Sequence, residues 1–104
     1  MSRFVSVCRR ADVEASGTGK LVEVEGRRFA LFQVDGGYYA IDDICPHRGG
    51  PLSEGLLSGD EVTCPWHGAQ FNVKTGAVTA APAQQGVKTF PVRLAGDDVE
   101  LGIE

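Results

Sequence analysis

The sequence predicts an all-β protein, an antiparallel sandwich or partly open barrel, and two observations carry this prediction. Short runs rich in apolar and β-branched residues recur along the 104 residues, and turns containing glycine separate them. No stretch has the apolar periodicity of a long amphipathic helix. A chain of this length forms one modest hydrophobic core, so we expect a single domain, 1–104, without repeats or a low-complexity linker.

Each strand is predicted from its own composition and from the turn that ends it. The predicted strands are Phe4–Cys8, Lys20–Glu25, Arg28–Val34, Tyr38–Ile41, Glu61–Cys64, Gln70–Val73, Ala77–Thr79, Val87–Leu94 and Val99–Ile103. The residues of tight hairpin turns stand at Asp35-Gly36-Gly37, Lys74-Thr75-Gly76 and Gly96-Asp97-Asp98. We interpret Ala11–Gly19 as a loop, and Leu52–Asp60, which is rich in Gly, Ser and Leu, carries no strand prediction.

Charge and hydropathy exclude several classes of function. The chain has 14 acidic and 10 basic residues, a formal charge of −4, and no basic stripe, so nucleic-acid binding is disfavoured. Its first ten residues contain no apolar run long enough for a signal peptide or a membrane span, and we expect a cytoplasmic protein without a membrane segment. Disulfides are rare in that compartment, and Cys8 is therefore predicted to be a small buried apolar residue.

Two short loops contain most of the chain's metal-binding chemistry. Cys45 and His47 stand in the first loop, Cys64 and His67 stand in the second, and sixteen residues separate His47 from Cys64. Thiolate and imidazole ligands together favour zinc, iron or an iron–sulfur cluster over hard cations. A structural zinc site usually pairs cysteine with cysteine and histidine with histidine, whereas each loop here is mixed. Mixed loops favour a cluster, and zinc stays as the alternative.

The two loops resemble those of the Rieske iron–sulfur proteins. The similarity lies in Cys45-Pro46-His47-Arg48-Gly49 and in Cys64-Pro65-Trp66-His67-Gly68. In Rieske proteins two cysteines and two histidines hold one [2Fe-2S] cluster. The resemblance implies four metal ligands: Cys45, His47, Cys64 and His67. It also implies a small cluster-binding lobe, about 44–82, inserted into a larger sheet, as in the small Rieske ferredoxins of bacterial oxygenases.

Residues next to the ligands are predicted to shape the cofactor site. Glycines allow tight turns and are expected to bring backbone N–H groups towards sulfur, and an aromatic residue either shields the cluster or packs the lobe. An arginine that follows a ligand histidine is expected at the rim, and a proline corresponds to the loop that covers the cluster in this family. These residues are Arg48, Gly49, Gly50, Trp66, Gly68 and Pro82. Considered without the ligands, the same residues indicate only turns and a solvated surface.

Departures from particular branches of the family predict a low redox potential. Gly50 and Trp66 stand where the quinol-oxidising branch has two bridged cysteines, so that bridge cannot form. Ala69 and Phe71 stand where high-potential members have serine and tyrosine donors to the cluster and its cysteine. Fewer hydrogen bonds to sulfur imply a lower potential.

The remaining sequence indicates an electron carrier and not a catalytic enzyme. Outside the ligand set we find no nucleophile with a base, no nucleotide-binding loop and no spare histidine. We expect a monomer that passes single electrons from a flavin-dependent NAD(P)H reductase to a terminal oxygenase of the aromatic-ring dioxygenase type. Two alternatives stay open: the small Rieske-like subunit of an NAD(P)H nitrite reductase, and a zinc-stabilised adaptor without a redox role.

Overall fold

The structure, a computed structural model, consists of antiparallel strands with two short 3₁₀ turns. It describes residues 3–13, 19–45, 49–66, 68–80 and 86–103. The strands are β1 Arg3–Arg9, β2 Lys20–Val24, β3 Arg27–Val34, β4 Gly37–Asp42, β5 Leu56–Ser58, β6 Glu61–Thr63, β7 Gln70–Asn72, β8 Val78–Ala80, β9 Thr89–Phe90, β10 Val92–Ala95 and β11 Asp98–Ile103. The 3₁₀ turns are Arg10–Asp12 and Leu52–Glu54. The all-β prediction is confirmed.

The strands form three sheets. Their orders are β1-β11-β10, β2-β3-β4-β9 and β5-β6-β7-β8, and all pairs are antiparallel. The predicted hairpin turn joins β3 to β4, where Asp35 and Gly36 have φ angles of 52° and 81° and Val34 pairs with Gly37. Positive φ at both central residues is typical of the type I′ turn, which matches the twist of the strands.

Strand β3 lies at the centre because both of its faces are buried. Side chains alternate between the faces of a strand. Phe29 and Leu31 contribute to one core, which also contains residues of β2 and β11. Ala30 and Phe32 contribute to the second core, which contains both cysteines of the predicted site and residues of β5, β6 and β7. The uninterrupted apolar run of β3 thus packs against a different sheet on each side.

The third sheet lies within the segment that the sequence predicts as a cluster-binding lobe. Strands β5 to β8 span residues 56–80, inside the predicted range of about 44–82. Strand β4 ends just before Cys45, and Cys64 directly follows β6, so each predicted ligand loop begins at the end of a strand. The assignment of 1–104 as one domain with this lobe stays a prediction that the sheet arrangement supports.

Three details differ from the sequence predictions. The predicted strand Val87–Leu94 is wrong in its continuity. Pro91 divides it into β9, which pairs with β4, and β10, which pairs with β11 across the predicted turn. Proline has no N–H to continue a ladder, so the chain changes sheets there. The short strand β5 was not predicted; only its middle residue, Leu57, is buried. Cys8 is half-buried and not fully buried as predicted.

Candidate metal centre

The two predicted ligand loops have the same backbone hydrogen-bond pattern. The N–H of Cys45 donates to the carbonyl oxygen of Gly50 at 2.9 Å, and the N–H of Gly49 donates to the carbonyl oxygen of Cys45 at 2.8 Å. In the second loop the N–H of Cys64 donates to the carbonyl oxygen of Ala69 at 2.7 Å, and the N–H of Gly68 donates to the carbonyl oxygen of Cys64 at 3.1 Å. The same pair of backbone hydrogen bonds therefore closes both loops, and each loop begins at a cysteine.

A glycine with positive φ shapes each turn. Gly49 has a φ of 78° and Gly68 has a φ of 76°, values that other residues rarely adopt. From the sequence, these glycines are expected to bring backbone N–H groups towards sulfur. In the structure the N–H groups of Gly49 and Gly68 bond to the carbonyl oxygens of Cys45 and Cys64. The N–H groups of residues 47, 48 and 67 lie outside the described residues, so the expectation stays a prediction. These two glycines therefore determine the shape of the loops.

The two loops touch at Gly50. A Cβ atom placed on Gly50 would lie 2.7 Å from the Sγ atom of Cys64 and 3.1 Å from Cγ of Trp66. No side chain fits at this position without displacement. Residue 50 of the first loop is thus next to the sulfur of the second loop, and the fold brings the two cysteine-containing turns together.

Both cysteines of these loops are buried. Cys45 is 1% exposed and Cys64 is 2% exposed, and both belong to the core that contains Phe32 and Phe71. A cysteine binds a metal as a thiolate, and in a buried site the metal compensates the thiolate charge. Buried sulfur atoms on adjoining turns, with a glycine where the turns meet, fit an iron–sulfur cofactor.

Other residues of the predicted site lie outside the part of the chain that the structure describes. These residues are His47, Arg48, His67 and Pro82. The structure thus describes two of the four predicted ligands, and within the described residues no group of three or more metal-binding side chains is present. The complete ligand set stays a prediction.

Exposed apolar side chains adjoin the two cysteine turns. Trp66 is 59% exposed, so it covers Gly50 from outside and does not pack the core. Ile44, which precedes Cys45, is 54% exposed. Leu56 is 64% exposed and pairs with Thr63, the residue before Cys64. We call Ile44, Leu56 and Trp66 the apolar rim. Ile44 and Leu56 were not predicted from sequence, because burial is the usual state of such residues.

Asp43, two residues before Cys45, was not predicted as part of the site. Its side chain is completely buried, and its Oδ1 atom accepts a hydrogen bond from the N–H of Ser53 at 2.8 Å. The guanidinium of Arg28 lies 3.3 Å from Oδ2. In the sequence the Asp42-Asp43 pair indicates only a polar strand end. The role of Asp43 depends on contacts with residues ten or more positions away, which the sequence does not reveal.

Comparison with known proteins identifies the family. Residues 3–91 match the model of the Rieske [2Fe-2S] domain. The chain is 42% identical over 82 residues to the ferredoxin component of a naphthalene 1,2-dioxygenase system from Pseudomonas aeruginosa, covering 79% of both chains. Its fold matches a ferredoxin of Sphingomonas yanoikuyae B1 with a TM-score of 0.91 and 31% identity, over 98% of this chain and all of that one.

Two further solved structures are relevant to the partner. A complex of reduced oxygenase and oxidized ferredoxin in carbazole 1,9a-dioxygenase matches with a TM-score of 0.87 and 34% identity, over 94% of this chain and 91% of that one. A putative small subunit of an NADPH nitrite reductase matches with a TM-score of 0.79 and 28% identity, over 95% and 97%. The chain is thus less similar to the nitrite reductase subunit than to the chain matched in the carbazole dioxygenase complex, in both fold and sequence identity.

The comparisons also decide between the metals that the sequence left open. The matched domain is named for a [2Fe-2S] cluster, which confirms the predicted cofactor and disfavours the zinc adaptor. The matched ferredoxins are named as components of dioxygenase systems, which confirms the prediction of an electron-transfer component. No helix in the described part of the chain is long and apolar enough to cross a membrane. Together with the paired cysteine turns, the domain match shows that this chain belongs to the Rieske [2Fe-2S] domain family.

Proposed function

We propose that this chain is a low-potential one-electron carrier that receives electrons from a flavin-dependent NAD(P)H reductase and delivers them to a terminal oxygenase of the aromatic-ring dioxygenase type. The observation that carries the proposal is the pair of matching cysteine turns, which meet at Gly50 in a chain similar to ferredoxin components of dioxygenase systems. We further propose a cytoplasmic monomer.

The proposed cluster ligands are Cys45, His47, Cys64 and His67. When bound, the cluster supplies reversible one-electron chemistry. The burial of Cys45 and Cys64 keeps water away from the sulfur side of the site. Gly49 and Gly68 hold the two turns in the same shape, and Gly50 leaves room for the sulfur atom of Cys64. Arg48 and Pro82 are proposed to lie beside the cofactor, as the family resemblance implies.

The apolar rim is proposed as the surface that touches the redox partners. Large apolar side chains exposed together are typical of sites that bind other proteins. Ile44, Leu56 and Trp66 are all next to the cysteine turns in sequence or in strand pairing, so a partner that covers them also approaches the cofactor. A small contact of this kind suits a transient electron-transfer complex.

Analysis of the purified protein tests the ligand set. We expect a brown protein with two irons and two labile sulfides per chain, since two cysteines and two histidines supply two ligands to each iron. His47→Ala, His67→Ala and Cys64→Ala should each lose the cluster or its low-g electron paramagnetic resonance signal. Cys8→Ala is the matched control. Cys8 lies in β1, outside the two ligand loops, so this variant should keep its full iron content. A colourless protein with one zinc, or an unchanged resonance signal in either histidine variant, would refute the ligand assignment.

A further inference from the structure

The buried carboxylate of Asp43 joins the first cysteine turn to the rest of the fold. Its backbone carbonyl accepts a hydrogen bond from the N–H of Leu52 at 2.7 Å, and its Oδ1 atom accepts one from the N–H of Ser53 at 2.8 Å. Leu52 and Ser53 begin the 3₁₀ turn that follows the first loop. Asp43 precedes the first loop, and its hydrogen bonds join it to the residues that follow the loop.

These contacts close the loop at its base. Ile44 and Pro51 form an antiparallel bridge directly inside the contacts of Asp43. On the other side, the N–H of Asp43 donates to the carbonyl oxygen of Arg28 in β3 at 3.2 Å. Cys45 therefore directly follows the Ile44–Pro51 bridge, and the hydrogen bond from Asp43 to Arg28 connects this base of the loop to β3.

The second loop is closed in a different way. It connects β6 to β7, where Thr63 pairs with Gln70 and the Gln70 side-chain amide donates to the Thr63 hydroxyl at 3.1 Å. A regular hairpin with neutral side chains holds this loop. The two cysteine turns have the same backbone pattern, but only the first has a buried carboxylate at its base among the described contacts.

The charge of this carboxylate is only partly compensated. Asp43 Oδ2 is buried and forms no hydrogen bond with the described residues. Its ion partner, Arg28 Nη2, lies 3.3 Å away on a side chain that is 43% exposed, so water screens the positive charge more than the negative one. The carboxylate is therefore more shielded from water than the guanidinium that faces it.

We propose that Asp43 is a positioning residue for Cys45 and that its carboxylate also lowers the redox potential of the cofactor. The inference rests on the proposed function, since it requires the cluster to be held by these loops. Reduction adds negative charge to the cluster, and a buried carboxylate nearby opposes it. In this proposal the hydrogen bonds of Asp43 position Cys45, and the negative charge of Asp43 lowers the redox potential of the cofactor.

Variants of the purified holoprotein separate the two roles. Asp43→Asn keeps an oxygen that accepts from Ser53 but removes the charge, so we expect a higher midpoint potential. The reduction equilibrium should shift by up to about tenfold, which is about 59 mV for a one-electron couple. Asp43→Ala also removes the acceptor, so it should release iron to a chelator several times faster than Asp43→Asn does. Arg28→Gln exposes the carboxylate charge and should shift the potential in the opposite direction.

Asp42→Asn is the matched control. It removes the same charge from the adjacent residue, whose side chain is not fully buried, and should move the potential less than half as far as Asp43→Asn. Equal shifts for the two asparagine variants, or shifts of the same sign in Asp43→Asn and Arg28→Gln, would overturn the charge role. Equal iron release from Asp43→Ala and Asp43→Asn would overturn the positioning role. A wild-type protein without a cluster would overturn the proposed function and this inference together, whereas a loaded wild type with unresponsive variants would overturn only the inference.

Discussion

Replacing Gly50 with alanine should disrupt the cofactor site through one steric contact. The added Cβ would lie 2.7 Å from Cys64 Sγ, whereas ordinary contacts begin near 3.4 Å, so the sulfur or the first loop must move by about 0.7 Å. Ligand distances in metal sites usually lie within about 0.2 Å of their ideal values, so a shift of this size requires the loop or the cofactor to move as well. In this chain, where Trp66 lies opposite, the variant should therefore assemble less cluster than the wild type. Overpacking of this kind also costs about 1–3 kcal/mol in folding free energy.

Gly96→Ala provides the control for this experiment. Gly96 has a φ of 63° in the β10–β11 turn, and a Cβ there meets no atom within 4 Å. Left-handed strain should cost about 1–2 kcal/mol in stability, similar to the cost of the clash, but should leave iron content unchanged. Iron and sulfide content, visible absorbance and urea unfolding of both variants provide the comparison. Full iron content in Gly50→Ala would show that the loops do not meet as described.

Two other measurements test the site and the surrounding sheets. Removal of the cluster should reduce hydrogen-exchange protection at the N–H groups of Cys45 and Cys64 more than at β3 and β4, because metal binding contributes to the order of these loops; equal protection in apo and holo protein would contradict this. Burial and the nearby Asp12 carboxylate raise the pKa of the Cys8 thiol, against a smaller opposite effect of Lys20, so iodoacetamide should alkylate Cys8 more slowly in the folded protein than in urea between pH 8 and 9. An equal alkylation rate in folded and urea-unfolded protein would contradict the partly buried environment of Cys8.

Most strands were predictable because each depends on residues near in sequence. The hairpin at Asp35-Gly36 is an example, since the turn residues and the alternating side chains of β3 both indicate it. The division at Pro91 was harder, because an apolar run on both sides of a proline is compatible with one edge strand or with two strands. Only the competition between two sheets for the same segment decides this.

The candidate site was predictable in its chemistry but not in its packing. The spacing of Cys45 and Cys64 indicated two loops, and the loops are matching turns. The sequence gives no signal that residue 50 touches the sulfur of Cys64, or that Asp43 closes the first loop, since both contacts join segments distant along the chain. Long-range contacts of this kind arise from the sheets that carry the loops.

We expect two side chains near the second cysteine turn, Ala69 and Phe71, to contribute to a low redox potential because neither can donate a hydrogen bond. Ala69 and Phe71 are completely buried in the same core as Cys45 and Cys64, and neither side chain has a hydroxyl. Each hydrogen bond donated to a cluster or cysteine sulfur stabilises the more negative reduced state. The midpoint should therefore lie near the lower end of the Rieske range, about −150 mV.

A double replacement, Ala69→Ser with Phe71→Tyr, should raise the midpoint by a substantial fraction of that range, because it adds two hydroxyl donors beside the second cysteine turn. Phe29→Tyr is the matched control: Phe29 is equally buried but lies in the other core, so its added hydroxyl cannot reach sulfur and should leave the potential unchanged. Protein-film voltammetry of the three proteins measures the shifts. A wild-type midpoint above about +100 mV, or equal potentials in wild type and double variant, would show that donors other than these two side chains determine the potential.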